Sequence, residues 1–149
     1  MAGKPVLKVG HELFGTVRKV TAERIEWYDS ALISCCMGEL RQVGANIHTD
    51  TDYAKGQGFR LPNSDGMMST NWCQNMLIAQ FGLDYFEHAE LRTKYIKPIE
   101  LGTNVHPRGR VLAATPTSDG GMLYSLDIWC ENDAGTKLVD GDAKIEVSP

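Results

Sequence analysis

One apolar stretch of this sequence, from Met67 to Gly82, constrains the fold more than any other. Its apolar residues recur at spacings of three to five, which predicts a helix covered by protein on most of its circumference. They are Met67, Met68, Trp72, Cys73, Met76, Leu77, Ala79 and Phe81. The preceding run Asn63-Ser64-Asp65 is typical of a helix N-cap. Gly66 would let another group approach the first free backbone amides, so this helix end is a predicted site for an anion or a developing oxyanion.

Four segments of the second half of the chain are predicted strands. They are Ala89–Ile96, Asn104–Ala114, Met122–Asn132 and Lys137–Val147. Turn-forming residues separate them and predict hairpin connections between consecutive antiparallel strands. The helix at 67–82 is the element long and apolar enough to cover one face of such a sheet. The sequence therefore predicts an α+β architecture in which a curved antiparallel sheet wraps around one central helix.

The first half of the chain is predicted to be less regular. Residues 1–10 are expected to form an N-terminal arm, and a first strand is predicted over Leu13–Val20 with Phe14 and Val17 inside. A helix is predicted from Thr21, either continuous to Leu40 or bent near Gly38, with apolar residues on one stripe. The stripe consists of Ile25, Tyr28, Leu32, Ile33 and Cys36, while Asp29 and Glu39 are expected to face solvent. Residues 44–50 are a predicted loop, and residues 52–55 a predicted short helical turn.

Composition narrows the class of protein. The 149 residues suit a single domain spanning 1–149, and the formal net charge of −4, with scattered Lys and Arg, argues against nucleic acid as a partner. No run approaches 18 apolar residues and no secretory signal is visible, so a cytoplasmic protein without a membrane span is expected. Cys35, Cys36, Cys73 and Cys130 lack metal-ligand spacing, and we expect reduced thiols. His11, His88 and His106 are expected at the surface.

Several short motifs occur in an order that resembles one known family. Asn46-Ile47-His48-Thr49-Asp50, followed by Tyr53-Ala54, resembles the hydratase loop of the MaoC-like (R)-specific enoyl-CoA hydratases and dehydratases. Asp65-Gly66-Met67 lies where that family has His-Gly-Met at the start of its central helix. Tyr95-Ile96-Lys97-Pro98-Ile99 resembles its aromatic-x-Lys-Pro strand signature, and Asn132 to Gly135 resembles its Asn-x-x-Gly hairpin. The resemblance extends from about Phe14 to Val147 and implies a hot-dog fold.

The same resemblance implies a catalytic His48 but leaves its acidic partner unassigned. The family's loop reads Gly-Asp-x-Asn-Pro-x-His, and Val43-Gly44 stands at the place of its aspartate. If the fold is right, the loop ending at His48 and the start of the central helix form two walls of one pocket. Asp65 is then predicted to face His48 and to supply the missing charge, besides capping the helix. Asp50 and Glu39 are the next candidates for this carboxylate.

Five residues are predicted to contact the substrate. They are Asn46, Asp50, Gly66, Met67 and Trp72. The Gly66 N–H would polarise a thioester carbonyl, and Asn46 would orient a neighbour by hydrogen bonding. A carboxylate placed like Asp50 is more typical of a loop cap or a solvated group, and Met67 and Trp72 are more typical of the core than of a pocket wall. Neither a metal nor an organic cofactor is implied.

The resemblance implies a lyase that adds or removes water at an acyl thioester, an enoyl-CoA or 3-hydroxyacyl-CoA. Two alternatives stay open: a hot-dog thioesterase or a dehydratase of a non-CoA metabolite, and a non-catalytic acyl-binding subunit of a heteromeric hydratase. Coenzyme A would be bound through its phosphates, and the nearest cations in the sequence are Lys94, Lys97, Arg60 and Arg108. A homodimer or higher homo-oligomer is expected, because a lone hot-dog sheet leaves an edge strand unpaired.

Overall fold

An antiparallel sheet forms most of the second half of the protein. The computed structural model describes residues 6–37 and 44–149. The strands are β1 (Glu12–Phe14), β2 (Arg18–Lys19), β3 (Ala89–Tyr95), β4 (Asn104–Pro116), β5 (Met122–Glu131) and β6 (Lys137–Val147). Their order in the sheet is β1-β4-β5-β6-β3, with β2 also pairing with β4. The four strands predicted for the second half are therefore confirmed, with their ends within two residues of the prediction.

One helix covers a face of this sheet. The helices are α1 (Ala22–Met37), α2 (Thr51–Gly56), α3 (Gly66–Phe81) and α4 (Leu83–His88). Helix α3 is the predicted central helix, and it packs against β4 and β5. Its buried side chains include Cys73 and Leu77, both at 0% exposure, and they meet the inward side chains Leu126 and Ile128 of β5. The predicted α+β class, an antiparallel sheet with a central helix, is confirmed.

The predicted first strand is wrong in its length and in the side that it buries. Two short strands, β1 and β2, replace the continuous Leu13–Val20 strand. Leu13 points into the core at 4% exposure, so its neighbour Phe14 must point outward, and Phe14 is 63% exposed. Val17 lies between the two strands and is 49% exposed. The Arg108 guanidinium covers part of the Phe14 ring from 4.8 Å.

Sequence analysis did not predict helix α4. Gly82 ends α3 with a positive φ of 61°, and the chain re-enters a helix at once. This helix packs against β6 and leaves Leu83 and Phe86 at 75% and 67% exposure. Its buried Asp84 accepts a hydrogen bond from the Ser148 N–H at 3.4 Å. The chain end is thereby held against α4.

The first half of the chain is closer to the prediction. Helix α1 begins within one residue of Thr21, and Ile25 on its stripe is 1% exposed. The predictions about its end near 38–40, about the Leu32, Ile33 and Cys36 side chains and about Glu39 lie outside the described residues and side chains. Leu7 is 7% exposed, and its N–H donates to the Tyr124 hydroxyl at 3.1 Å, so residues 6–10 dock on the sheet. Across the described ranges, no helix is long and apolar enough to cross a membrane.

Candidate active site

His48 is held in position by hydrogen bonds to Asn46, in the same loop, and to Asn63, just before α3. Its N–H donates to Asn46 Oδ1 at 2.7 Å, and the Thr49 N–H donates to the same oxygen at 3.0 Å. This is a short-range Asn turn of the kind that fixes a loop backbone. The ring atom Nδ1 lies 2.8 Å from the backbone oxygen of Asn63, just before α3. The backbone of His48 and one nitrogen of its ring are therefore both held in place.

The Asn63 contact determines which ring nitrogen of neutral His48 carries the proton. A backbone carbonyl oxygen can accept a hydrogen bond but cannot donate one. Nδ1 must therefore be protonated and donate to Asn63, which leaves the lone pair of neutral imidazole on Nε2. The His48 side chain is 24% exposed, so this nitrogen can be reached from a cavity. His48 is thus set up to accept a proton at Nε2.

Asp65 faces that nitrogen from the start of α3. Its Oδ1 accepts the Met67 N–H at 2.7 Å and so caps the helix, as predicted. Its Oδ2 lies 4.0 Å from Nε2 of His48. The two predicted catalytic residues are seventeen positions apart in sequence, and the structure brings them together. A carboxylate at this distance favours the positive charge that appears when His48 gains a proton.

Asp29 is a second carboxyl group at this site, and its expected exposure to solvent is wrong. Its side chain, on α1, is 7% exposed. Burial raises the pKa of Asp29, and the Asp65 charge raises it further, while the His48 charge and a hydrogen bond from the Asn46 side chain oppose the shift. Asp29 is four residues after the buried Ile25, so it lies on the apolar stripe of α1. The position of Asp29 on this stripe was the sequence signal for its burial, and the sequence analysis did not use it.

Gly66 is required because an aromatic ring packs directly on its backbone. A Cβ atom at this position would lie 2.7 Å from the Tyr95 ring, closer than real side chains allow. The Tyr95 hydroxyl is fixed in turn by the Thr70 hydroxyl at 2.9 Å and by a bond donated to the Met67 sulfur at 3.3 Å. Gly66 is the first residue of α3, so its N–H has no partner within the helix. An oxyanion near His48 could use that donor.

His48 and Gly66 share the wall of a cavity of about 290 Å³. Apolar side chains form most of the remaining wall, with Lys97 among the lining residues. They are Ile47, Phe59, Ile96, Pro98, Ile99 and Val139, joined by Tyr95, Asn63 and Ser64. His48 also borders a second cavity of about 450 Å³, whose lining includes Asp50. His48 therefore lies between two spaces that a substrate and water could occupy.

The predicted substrate-binding residues do not all lie together. Asn46 orients the His48 loop, and Asp50 caps α2 by accepting the Tyr53 N–H at 2.8 Å. Met67 is 48% exposed and contacts Tyr95. Trp72 lines a separate groove with Tyr28 and Met68. Gly66 is the predicted binding residue that borders the 290 Å³ cavity.

The four cations predicted to meet coenzyme A phosphates have different surroundings. Lys97 lines the 290 Å³ cavity. Arg60 is paired with Glu100, and Arg108 donates to Glu131 at 3.0 Å. Lys94 lies on β3 and is exposed. Lys97 is therefore the predicted phosphate ligand best placed to meet a molecule that enters this cavity.

Comparison with solved structures identifies the fold. No protein-family model and no curated protein matches the chain. A MaoC-like dehydratase from Rhodospirillum rubrum superposes with a TM-score of 0.73 at 20% identity, covering 95% of this chain and 93% of the other. A monoamine oxidase regulatory protein from Archaeoglobus fulgidus gives 0.72 at 20%, covering 100% and 99%. The (R)-hydratase from A. caviae involved in PHA biosynthesis gives 0.70 at 17%, covering 96% and 98%. The chain has the hot-dog fold that MaoC-like dehydratases and (R)-hydratases share.

Proposed function

We propose that this protein is a MaoC-like hydro-lyase that adds water to, or removes it from, an acyl thioester of the enoyl and 3-hydroxyacyl type. The observation that carries the proposal is the orientation of His48, whose Nε2 lone pair faces Asp65 beside the Gly66 N–H. A proton acceptor and an oxyanion donor are the two groups that such chemistry requires. The shared fold with dehydratases and hydratases supports the same reaction class.

The proposed hydration begins with the thioester carbonyl near Gly66. Its N–H and the positive end of the α3 dipole would stabilise the enolate oxygen that forms when the β-carbon is attacked. His48 Nε2 takes one proton from water, and the hydroxyl oxygen bonds to the β-carbon. The α-carbon then takes up one proton from the His48 imidazolium, which restores neutral His48 and completes the addition of H and OH. Dehydration is the same sequence in reverse.

Asp65 and Asp29, the two carboxyl groups beside His48, have different roles in the proposed reaction. Asp65 caps α3 by accepting the Met67 N–H, and its second carboxylate oxygen would stabilise the imidazolium that forms at His48. Asp29 is buried, and its raised pKa favours the protonated form more than in an ordinary carboxyl group. Asn46 lies beside both parts of the site, because its Oδ1 accepts the His48 N–H and its side chain opposes the raised pKa of Asp29. Asp29 is the better proton reservoir of the pair.

The experiment that tests this function follows the enoyl-thioester absorbance on adding short enoyl-CoA esters, and its return from 3-hydroxyacyl-CoA. We expect turnover by the unmodified protein and a loss of about 10²-fold or more in His48→Ala. His88→Ala is the matched control, since His88 is an exposed histidine on α4. Absence of turnover with every chain length would overturn the proposal. Equal loss in both variants would show a general effect on folding.

The alternative of a non-CoA substrate is favoured by one observation. Arg60 and Arg108, two of the four predicted phosphate ligands, are already paired with Glu100 and Glu131. Comparing a CoA ester with the matching pantetheine ester decides between the two. Equal kcat/KM for both esters would indicate that the phosphates of coenzyme A are not recognised. Binding of the esters by the purified protein without turnover would indicate the other alternative, a non-catalytic acyl-binding subunit.

A further inference from the structure

An open groove of about 550 Å³ lies between α1 and α3, and it shares no lining residue with the two cavities beside His48. Three of its lining residues are aromatic, Trp27 and Tyr28 of α1 and Trp72 of α3. Trp27 is 71% exposed, whereas Trp72 packs partly against the core. Aromatic surface that is open to solvent and gathered in one concave place is typical of a binding site. The reaction at His48 leaves this groove unexplained.

The groove follows one face of the central helix. Met68, Trp72 and Met76 are spaced four residues apart, so they lie along the same side of α3. Met68 and Trp72 line the groove, and Trp72 and Met76 line a hollow of about 80 Å³ that continues it toward Phe14. Arg18 borders both spaces. The surface is therefore elongated, and it begins at the first turn of α3.

One end of the groove lies close to the proposed reacting centre. Met68 belongs to the first turn of α3, the turn that Asp65 caps. The Tyr28 hydroxyl accepts a hydrogen bond from the Asn71 side chain at 3.3 Å, which holds the phenol beside α3. Burial raises the pKa of Tyr28, and the Asp65 charge raises it further, so the phenol lies within the field of the carboxylate that faces His48. A molecule bound at His48 therefore has a short path from the helix start into the groove.

The length of the helix segment agrees with an acyl group that follows this path. Trp72 follows Gly66 by six residues, which corresponds to about 9 Å along the helix axis. A five-carbon acyl chain with a terminal six-membered ring covers that length when its thioester carbonyl lies at the Gly66 N–H. Lys97, the predicted ligand of the carrier's phosphates, lines the 290 Å³ cavity and not the groove. The carrier and the acyl group would then occupy different spaces.

The side chains of the groove favour an aromatic ring over an alkyl group. Indole and phenol rings attract a second ring through offset-stacked and edge-to-face contacts. Arg18 and Arg24 form no ion pair with Glu23, the carboxylate of this lining, or with any other residue that the structure describes. A planar guanidinium stacks on aromatic faces, and the Arg24 guanidinium is held in place by donating to the Lys19 carbonyl at 2.9 Å. An alkyl group in so open a groove would stay in contact with water and would gain none of these contacts.

We infer that the groove between α1 and α3 holds the acyl group of the substrate and selects an acyl chain that ends in an aromatic ring. The inference rests on the proposed function for the thioester chemistry at His48. In this arrangement the ring lies beside Trp27 and Trp72, and the thioester lies at Gly66. Trp72 then contacts the substrate, as the sequence predicts, and it does so through the acyl group.

The test uses two thioesters on one carrier, 5-phenylpent-2-enoyl and 5-cyclohexylpent-2-enoyl, whose rings are similar in size and differ in aromatic character. The unmodified protein is expected to favour the phenyl compound by about three- to tenfold in kcat/KM, because the cyclohexyl ring has no π-face for Trp27, Trp72 and the arginines. Trp27→Leu should reduce the preference to less than about twofold, since one of these contacts is lost. The exposed position of Trp27 makes a folding defect an unsuitable explanation. Trp129→Leu is the matched control, because Trp129 lies on the outer face of β5 and the preference should persist there.

No preference, or a preference for the cyclohexyl compound, in the unmodified protein would overturn the inference and leave the proposed function standing. A phenyl preference that persists in Trp27→Leu would place the ring elsewhere and would also overturn it. Turnover of the but-2-enoyl thioester with no turnover of either longer compound would have the same meaning. A dimer that dissociates in Trp27→Leu would show that a second copy of the chain occupies the groove, which again overturns the inference.

If none of the three thioesters is turned over, the proposed function fails, and calorimetry with the saturated 5-phenylpentanoyl and 5-cyclohexylpentanoyl thioesters then judges the inference. Tighter binding of the phenyl compound that is lost in Trp27→Leu and kept in Trp129→Leu would support the groove as its site. Equal binding of the two compounds, or binding of neither, would overturn it.

Discussion

The Nε2 atom of His48 lies 4.0 Å from Oδ2 of Asp65, too far for a hydrogen bond and close enough for a charge interaction. Because the other ring nitrogen is held by the Asn63 carbonyl, neutral His48 presents a lone pair to this carboxylate. Protonation replaces that lone pair with a donor. In the proposed hydration, the Asp65 carboxylate would lie beside the imidazolium that forms when His48 takes a proton from water.

Asp65→Asn is expected to lower turnover by about 10²-fold while leaving the fold intact. Asparagine caps helices as well as aspartate, so the free energy of unfolding should change by about 0.5 kcal/mol or less. Steady-state kinetics and denaturant unfolding measure the two effects. Asp52→Asn, in the exposed first turn of α2, is the matched control. Undiminished turnover in Asp65→Asn, beside an inactive His48→Ala, would show that the carboxylate comes from elsewhere.

Asp29→Asn is expected to change how stability depends on pH. The pKa of Asp29 is higher in the folded protein than its ordinary value of 3.8 in the unfolded chain. Between the unfolded and the folded pKa, the folded protein therefore binds more protons than the unfolded chain, and proton binding stabilises the fold. This stabilisation is complete below pH 3.8 and is lost as pH rises through the folded pKa. The free energy of unfolding of the unmodified protein, relative to Asp29→Asn, should therefore fall across that window.

Denaturant titrations at several pH values measure this difference, and turnover of Asp29→Asn measures the proposed role in proton transfer. A difference between the two proteins that stays constant from pH 3 to pH 8 would contradict the shift. Asp142→Asn, at an exposed position of β6, provides the control for the loss of one carboxylate.

Gly66→Ala is expected to destabilise the protein by about 1–3 kcal/mol, because its methyl group would overlap the Tyr95 ring. It should also reduce turnover, since displacement of Tyr95 or of the helix start moves the proposed oxyanion donor. Gly56→Ala is the control, as a Cβ there meets nothing within 4 Å. Combining Gly66→Ala with Tyr95→Ser should restore part of the lost stability. If the double variant is no more stable than Gly66→Ala, the ring is not the cause.

Lys97→Gln is expected to raise KM for a CoA ester about three- to tenfold at low ionic strength, and to leave KM for the pantetheine ester nearly unchanged. A phosphate contact of this kind weakens as salt screens it, so the two proteins should converge at high salt. Lys144→Gln, on the exposed side of β6, is the matched control. An equal effect on both esters would show that Lys97 does not contact the phosphates.

The protein is expected to be a dimer at micromolar concentration. In the described part of the chain, β3 ends the sheet and pairs with β6 along one edge. Its other edge leaves backbone donors and acceptors that a second copy could pair. Sedimentation velocity across a concentration series measures the mass. A monomer throughout the series would contradict this prediction.

The sequence predicted the local structure correctly where single residue types are typical of a turn or a helix cap. Turn residues at 118–121 and 132–135 set the hairpins, and Asp65 was identified as a cap from its position alone. The His48–Asp65 encounter followed from the expected fold. Phe14 was assigned to the wrong side because either phase of the alternation buried one large apolar residue. Gly82 was interpreted only as the end of a helix, so α4 was missed.

The rest of the site depends on groups that leave little trace in a sequence. The acceptor that fixes the His48 tautomer is the backbone carbonyl of Asn63, and any residue at that position would provide it. Asp29 was assigned to solvent because charged residues on helices usually lie there. Its place four residues after the buried Ile25 indicated the buried face of α1, and the expectation from its charge was given more weight than this spacing.

Asp65 serves two purposes with one side chain, because one oxygen caps α3 and the other faces His48. The position of the carboxylate is therefore only as firm as the first turn of that helix. If this turn frays on warming, the carboxylate swings away while the sheet is still intact. Heat inactivation would then begin at a helix end, below the melting temperature of the core. Engineering for heat tolerance would gain more from strengthening this turn than from repacking the interior.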